Sequence, residues 1–147
     1  MRRIILGIVL GIIAGGLTVT GIEMISHSIY PLPEGLQPFN PDHHERFVEF
    51  VRGLPTTALV LVLVGHTVGT LVGVFVGSAI TRGKYWWVAA IVGGFFLLGG
   101  TINLMLLPHP HWFDFSERIA YPLATVIAWG IASLIWPQRP IEGEPAE

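Results

Sequence analysis

Glu23 and His27, in the run GIEMISHSIYP, stand four residues apart, the spacing that puts two side chains on one face of a helix. A carboxylate and an imidazole so placed either pair with each other or share a cation. Tyr30 follows on the same face, and a second polar group closes TINLMLLPHPHWFDF, where Asn103 precedes His109 and His111 in a proline-stiffened turn. Glu23, His27, Tyr30, Asn103, His109 and His111 are therefore candidate binding residues, provided that the chain brings both segments to one end. An ion pair that merely anchors a helix end is as good a reading of Glu23 and His27 as a binding site. The spacing fits no zinc signature such as HExxH, so any metal stays unspecified, and no catalytic constellation is complete.

Another histidine, His66, stands apart in VLVGHTVGTLVGVFVGSAI, a segment without Lys, Arg, Asp or Glu. It lies ten residues beyond Thr56, about 15 Å along a helix axis. The sequence offers it no ionisable neighbour at that depth. Thr67, Thr70 or a carbonyl beside a glycine is the expected partner, and an imidazole joining two helices is favoured over a proton carrier. Beyond it only hydroxyls such as Ser78 and Ser133 continue toward the far side. Haem between two imidazoles would need a second histidine at that depth, and the sequence specifies no cofactor. Asp42, His43, His44 and Glu45 read best as a solvated face, because adjacent helical residues point about 100° apart.

The elements that must position these groups are set by composition. Of 147 residues 52% are hydrophobic and 12% charged, about half the charge of an ordinary soluble domain. No charged residue occurs from Ile4 to Ile22, Leu54 to Thr81, Tyr85 to Phe113 or Ile119 to Gln138. Each gap is long enough for a helix across a hydrocarbon core of about 30 Å. The expected fold is an all-α membrane protein: a four-transmembrane-helix bundle with spans at 4–30, 56–80, 85–107 and 117–136. Residues 1–136 form one domain. The N-terminal apolar run is too long for a signal peptide and carries no A-x-A site.

The first outer loop, 31–55, begins with the proline-rich PLPEGLQPF and continues with a short amphipathic helix over about 41–52. Asn40 is its expected N-cap and Pro41 its first residue, with Gly53 past its end. Asp114 or Ser116 is the expected cap of the fourth span, and Pro122 a kink inside it. The tail, 137–147, is polar and expected to be disordered. Arg2, Arg3, Arg82, Lys84 and Arg139 fall on one side and Arg46, Arg52 and Arg118 on the other, so both termini are expected in the cytoplasm of a multi-pass inner-membrane protein. Tyr85, Trp86, Trp87 and Trp136 would mark the inner interface, and Tyr30, Trp112 and Tyr121 the outer one.

Small residues recur every fourth position: Gly7, Gly11 and Gly15 in the first span, Gly65, Gly69, Gly73 and Gly77 in the second, and Ala120, Ala124, Ala128 and Ala132 in the fourth. Rows without bulky side chains let helix backbones approach in lipid, where apolar burial drives nothing. They predict a glycine-zipper type of packing within the bundle, and a homo-oligomer stays open. With no cysteine, thiol redox chemistry is excluded, and a net charge of −2 without basic clusters points away from nucleic acid.

The runs E-x3-H-x2-YP (Glu23, His27, Tyr30, Pro31), LP (Leu54, Pro55) and NL-x3-PHP-x-WF (Asn103, Leu104, Pro108, His109, Pro110, Trp112, Phe113) carry a resemblance. The chain resembles a family of short bacterial inner-membrane proteins with four transmembrane helices. The resemblance implies a bacterial inner membrane and brings no activity with it.

Together these features predict a non-enzymatic accessory or structural protein of the membrane. Its partners are lipids, and its polar, periplasm-facing mouth binds an ion, a lipid headgroup or a protein. A small proton- or divalent-metal-coupled transporter is the alternative, and a membrane-embedded metal-dependent enzyme the third reading.

Overall fold

The computed structural model describes residues 1–38, 40–82 and 86–136. The tail, Lys84 and Arg139 of the orientation count, and the interface residue Tyr85 lie outside the described residues. Four long helices make up the bundle: α1 (Arg2–Ile29), α3 (Thr56–Ile80), α4 (Trp86–Leu106) and α5 (His111–Ile135). All four are long and apolar enough to cross a membrane, and no strand occurs among the described residues. The chain is thus a helical bundle compatible with a multi-pass membrane protein. Large apolar side chains such as Leu17, Leu98, Met105 and Leu134 stand exposed on its outside.

A single 3-10 turn, Pro41–His43, leads into the short helix α2 (His44–Arg52). Asn40 caps this start, its side chain accepting the Asp42 N–H at 3.0 Å. Val51 is buried and Phe47, Val48 and Phe50 are partly covered, whereas the charged residues of α2 are exposed.

The first and third long helices to be threaded, α1 and α4, run opposite to α3 and α5. Gly7, Gly11 and Gly15 of α1 face Gly77, Gly73 and Gly69 of α3 in antiparallel register. A Cβ on Gly11 would lie 2.7 Å from the Gly73 carbonyl oxygen, and one on Gly73 would lie 2.8 Å from that of Gly11. The two backbones therefore touch directly, with dispersion contacts that any larger residue would remove. Gly77 likewise admits Val92 of α4, and Gly93 of α4 admits Thr125 of α5. Helix α3 is the hub: it packs on α1, α4 and α5, whereas α1 and α5 flank it without meeting.

The fourth long helix begins at His111, six residues before the Glu117 that the charge pattern predicts. Neither Asp114 nor Ser116 is its cap, because Pro110 holds that position and both lie inside the helix. A boundary drawn from hydropathy follows the charges, whereas a helix begins where its punctuation permits. Pro110 supplies that punctuation, and an acidic residue in the first turn is favourable. Glu117 is consequently almost two turns inside α5, and the helix continues through Pro122.

The buried stripe of α5 is Phe113, Glu117, Tyr121, Ala124, Ala128 and Ala132, with Ala120 only partly covered. Successive fourth residues advance by about 40°, so the covered face leaves the alanine row at Ala124 and continues through Tyr121 to Glu117.

Candidate functional site

The histidine end of the bundle is where α1 finishes and α3 and α5 begin. In its interior, His66 of α3 stands between two carboxylates. Its Nδ1 is hydrogen-bonded to Oε1 of Glu117 on α5, and its Nε2 lies 3.7 Å from Oε1 of Glu23 on α1. A carboxylate oxygen that carries no proton only accepts, and toward such an oxygen the ring N–H is the donor. Tyr121, one turn on from Glu117, stacks its ring on the imidazole at a centroid distance of 6.0 Å and donates a long hydrogen bond of 3.5 Å to the same Oε1.

The levels of these groups follow from helix geometry. Glu23 is six residues from the end of α1 and Glu117 six from the start of α5, each about 9 Å in, while His66 is about 15 Å along α3. Helical side chains lean toward the N-terminus, which for α3 is the histidine end. The imidazole therefore reaches up to the level of the two carboxylates.

This overturns the expectation that His66 has no ionisable neighbour. The hydroxyls expected to serve it are engaged elsewhere: Thr67 donates to the Leu63 carbonyl at 2.7 Å and Thr70 to the His66 carbonyl at 2.8 Å. Glu117 is absent from the residues that the sequence singles out, because its charge marks the edge of the expected fourth span. Its signal was present, since it lies on the face that Ala124, Ala128 and Ala132 define.

Exposure differs sharply along the triad. The Glu117 side chain is 0% exposed, that of His66 13% and that of Glu23 39%. Ionised together, the three groups carry one net negative charge, and burial makes that charge costly unless a proton or another cation joins it.

Of the other expected cluster members, only Glu23 meets this centre. Tyr30 caps α1 and shares a hydrogen bond of 2.6 Å between its Oη and Oγ1 of Thr57. His109 stacks on Phe113 at 4.7 Å, and its Nδ1 is 2.9 Å from the Leu107 carbonyl. His27 and His111 are exposed, and Asn103 is partly covered. No side-chain hydrogen bond or ion pair joins these residues to one another, and among the described residues no group of three His, Asp or Glu could hold a metal ion.

Toward the opposite end, here the arginine end because α1 begins there at Arg2 and Arg3, the interior turns apolar, with Val74, Val88, Val92, Phe96 and Ala128 buried. Ser78 Oγ, Ser133 Oγ and Trp129 Nε1 are buried there without partners, but that half of the described interior holds no Asp, Glu, His or Lys.

Tyr121 has room only because α4 presents Gly100, where an added Cβ would lie 2.2 Å from the phenol oxygen and 2.4 Å from Cε2. Gly100→Ala is expected to push Tyr121 off Glu117 and destabilise the bundle by about 1 to 3 kcal/mol. Unfolding in mixed micelles, with the Tyr121 ring signals followed by NMR, checks both effects.

Comparison of the chain with protein-family models, with curated proteins and with solved structures found no match, so the reading of this centre rests on its own geometry.

Proposed function

We propose that the protein is a non-enzymatic accessory protein of the bacterial inner membrane. Both termini are cytoplasmic, α2 is an amphipathic helix on the periplasmic surface, and the histidine end is a binding mouth. The observation that carries this reading is one imidazole set between two carboxylates inside a bundle of apolar helices. Such a centre lacks one positive charge, and Glu23, its exposed arm, is where a cationic or hydrogen-bond-donating group of a lipid or partner would supply it.

Native mass spectrometry and elemental analysis of protein purified in mild detergent test the proposal. A bound species in the wild type, lost in Glu23→Gln with the helical spectrum unchanged, is the expected result. Identical spectra for the two proteins would count against it. Stoichiometric metal lost in the variant would instead favour the metal-dependent readings.

A second reading, proton-coupled transport, is favoured by the engagement of both ring nitrogens, the arrangement of a proton relay. The apolar half toward the arginine end argues against a continuous path. Liposomes with an imposed pH gradient are therefore expected to show no sustained flux, and flux abolished by His66→Ala would reverse the order of the two readings.

A further inference from the structure

Glu117 is served on one side only. Its Oε1 takes both His66 and Tyr121, whereas its Oε2 is buried with no hydrogen-bond partner. Three residues earlier on α5, and so one turn nearer the histidine end, Oδ1 of Asp114 is buried without a partner as well. Residues at that spacing are neighbours on a helix surface, with Cβ atoms about 5 to 6 Å apart.

Both oxygens are acceptors, on residues one turn apart, and a buried acceptor calls for a donor. Among the described residues none supplies one. Arg118, four residues beyond Asp114, is exposed and makes no ion pair. A metal is disfavoured by the absence of a third ligand among the described residues. Water fits the requirement, because one molecule brings two donors to a pair of buried acceptors.

We infer that ordered water is held between Asp114 and Glu117, and that it forms the path by which protons from solution at the histidine end reach Glu117 Oε2. The inference rests on the triad being a proton- or cation-accepting centre. In the uptake step an O–H bond of the water, or of a hydronium ion at that position, breaks as a new O–H bond forms on Oε2. The water regains its proton from solution past Asp114. Glu117 becomes a neutral acid and the triad loses its net negative charge. The titratable groups facing Glu117 are Glu23 from α1, His66 from α3, and Asp114 and Tyr121 from its own helix; α4 carries none between Trp86 and Leu106.

Infrared spectroscopy of the full chain in lipid nanodiscs tests the path. The carboxylic-acid C=O band that appears on acidification and is absent in Glu117→Gln reports Glu117, and it moves to lower frequency when deuterium replaces the acid proton. On transfer to heavy water the wild-type band is expected to shift promptly. In Asp114→Leu, and in the isosteric Asp114→Asn, whose amide presents N–H to the water in place of an acceptor oxygen, the shift is expected to slow by about tenfold or more.

Equal exchange rates in wild type and both variants would overturn the inference, as would the lack of any Glu117 acid band on acidification. If Asp114→Leu does not fold, Asp114→Asn decides alone. Failure of ligand binding in native mass spectrometry would leave the exchange result standing, so the two claims fail separately.

Discussion

Glu117→Ala is expected to destabilise the bundle by about 3 to 5 kcal/mol, more than any other single substitution at the site. The loss comes less from the missing carboxylate than from what stays behind. His66 and the Tyr121 hydroxyl both lose the acceptor they share, and the imidazole is left in an interior with only the more distant Glu23 to face. The double replacement His66→Leu with Glu117→Leu removes both partners and fills the space. Its stability is expected to lie within about 1 kcal/mol of the wild type, because well-packed apolar groups commonly match a buried ion pair. Reversible unfolding in mixed micelles gives both numbers.

The comparison also separates structure from function. A double variant that folds as well as the wild type yet loses its bound species shows that the triad is kept for binding. A double variant as unstable as Glu117→Ala shows that its chief contribution is to hold α3 against α5.

The second large effect belongs to the glycine seam. Gly73→Ala places a methyl group 2.8 Å from the Gly11 carbonyl oxygen and 2.9 Å from Cε2 of Phe96, so α1 and the Phe96 ring must both give way. A cost of about 1 to 3 kcal/mol is expected, with α1 most affected because its packing on α3 is built from this contact. Gly16→Ala is the matched control. That position has nothing within 4 Å, so the variant is expected to be neutral or to gain up to about 1 kcal/mol from helix propensity. Unfolding curves for the two variants, measured under one condition, should move in opposite directions or differ by the full overpacking cost. Coincident curves would mean that α1 and α3 do not meet along Gly7, Gly11 and Gly15.

What the chain disclosed in advance was its helices. Charge gaps identify four apolar segments because membrane helices must exclude charge over a fixed length, and the glycine spacing marks the surfaces of α1 and α3 that meet. The centre was harder to see, for a physical reason. Glu23, His66 and Glu117 come from three helices, two of which touch α3 but not each other, and no sequence spacing records such a meeting. Reading depth from backbone position alone also hid the pairing, since the lean of the His66 side chain toward the start of α3 brings it level with the carboxylates.

Glu117 is further concealed because a charge next to an apolar run usually marks the end of a span. Its place on the covered stripe, seven residues before Ala124 and eleven before Ala128, was the available sign. The expected cluster at the mouth failed in the complementary way. His27 and Glu23 share a helix face, but Glu23 turns to His66 while His27 stays exposed.

The imidazole of His66 lies between Glu117 and Glu23, and nitrogen-15 NMR of histidine-labelled protein in micelles addresses that placement directly, with His66→Gln assigning the signals. Glu117→Gln is expected to move the Nδ1 resonance of His66 most, and Glu23→Gln to move mainly Nε2. Ring-nitrogen resonances indifferent to both substitutions would contradict the account.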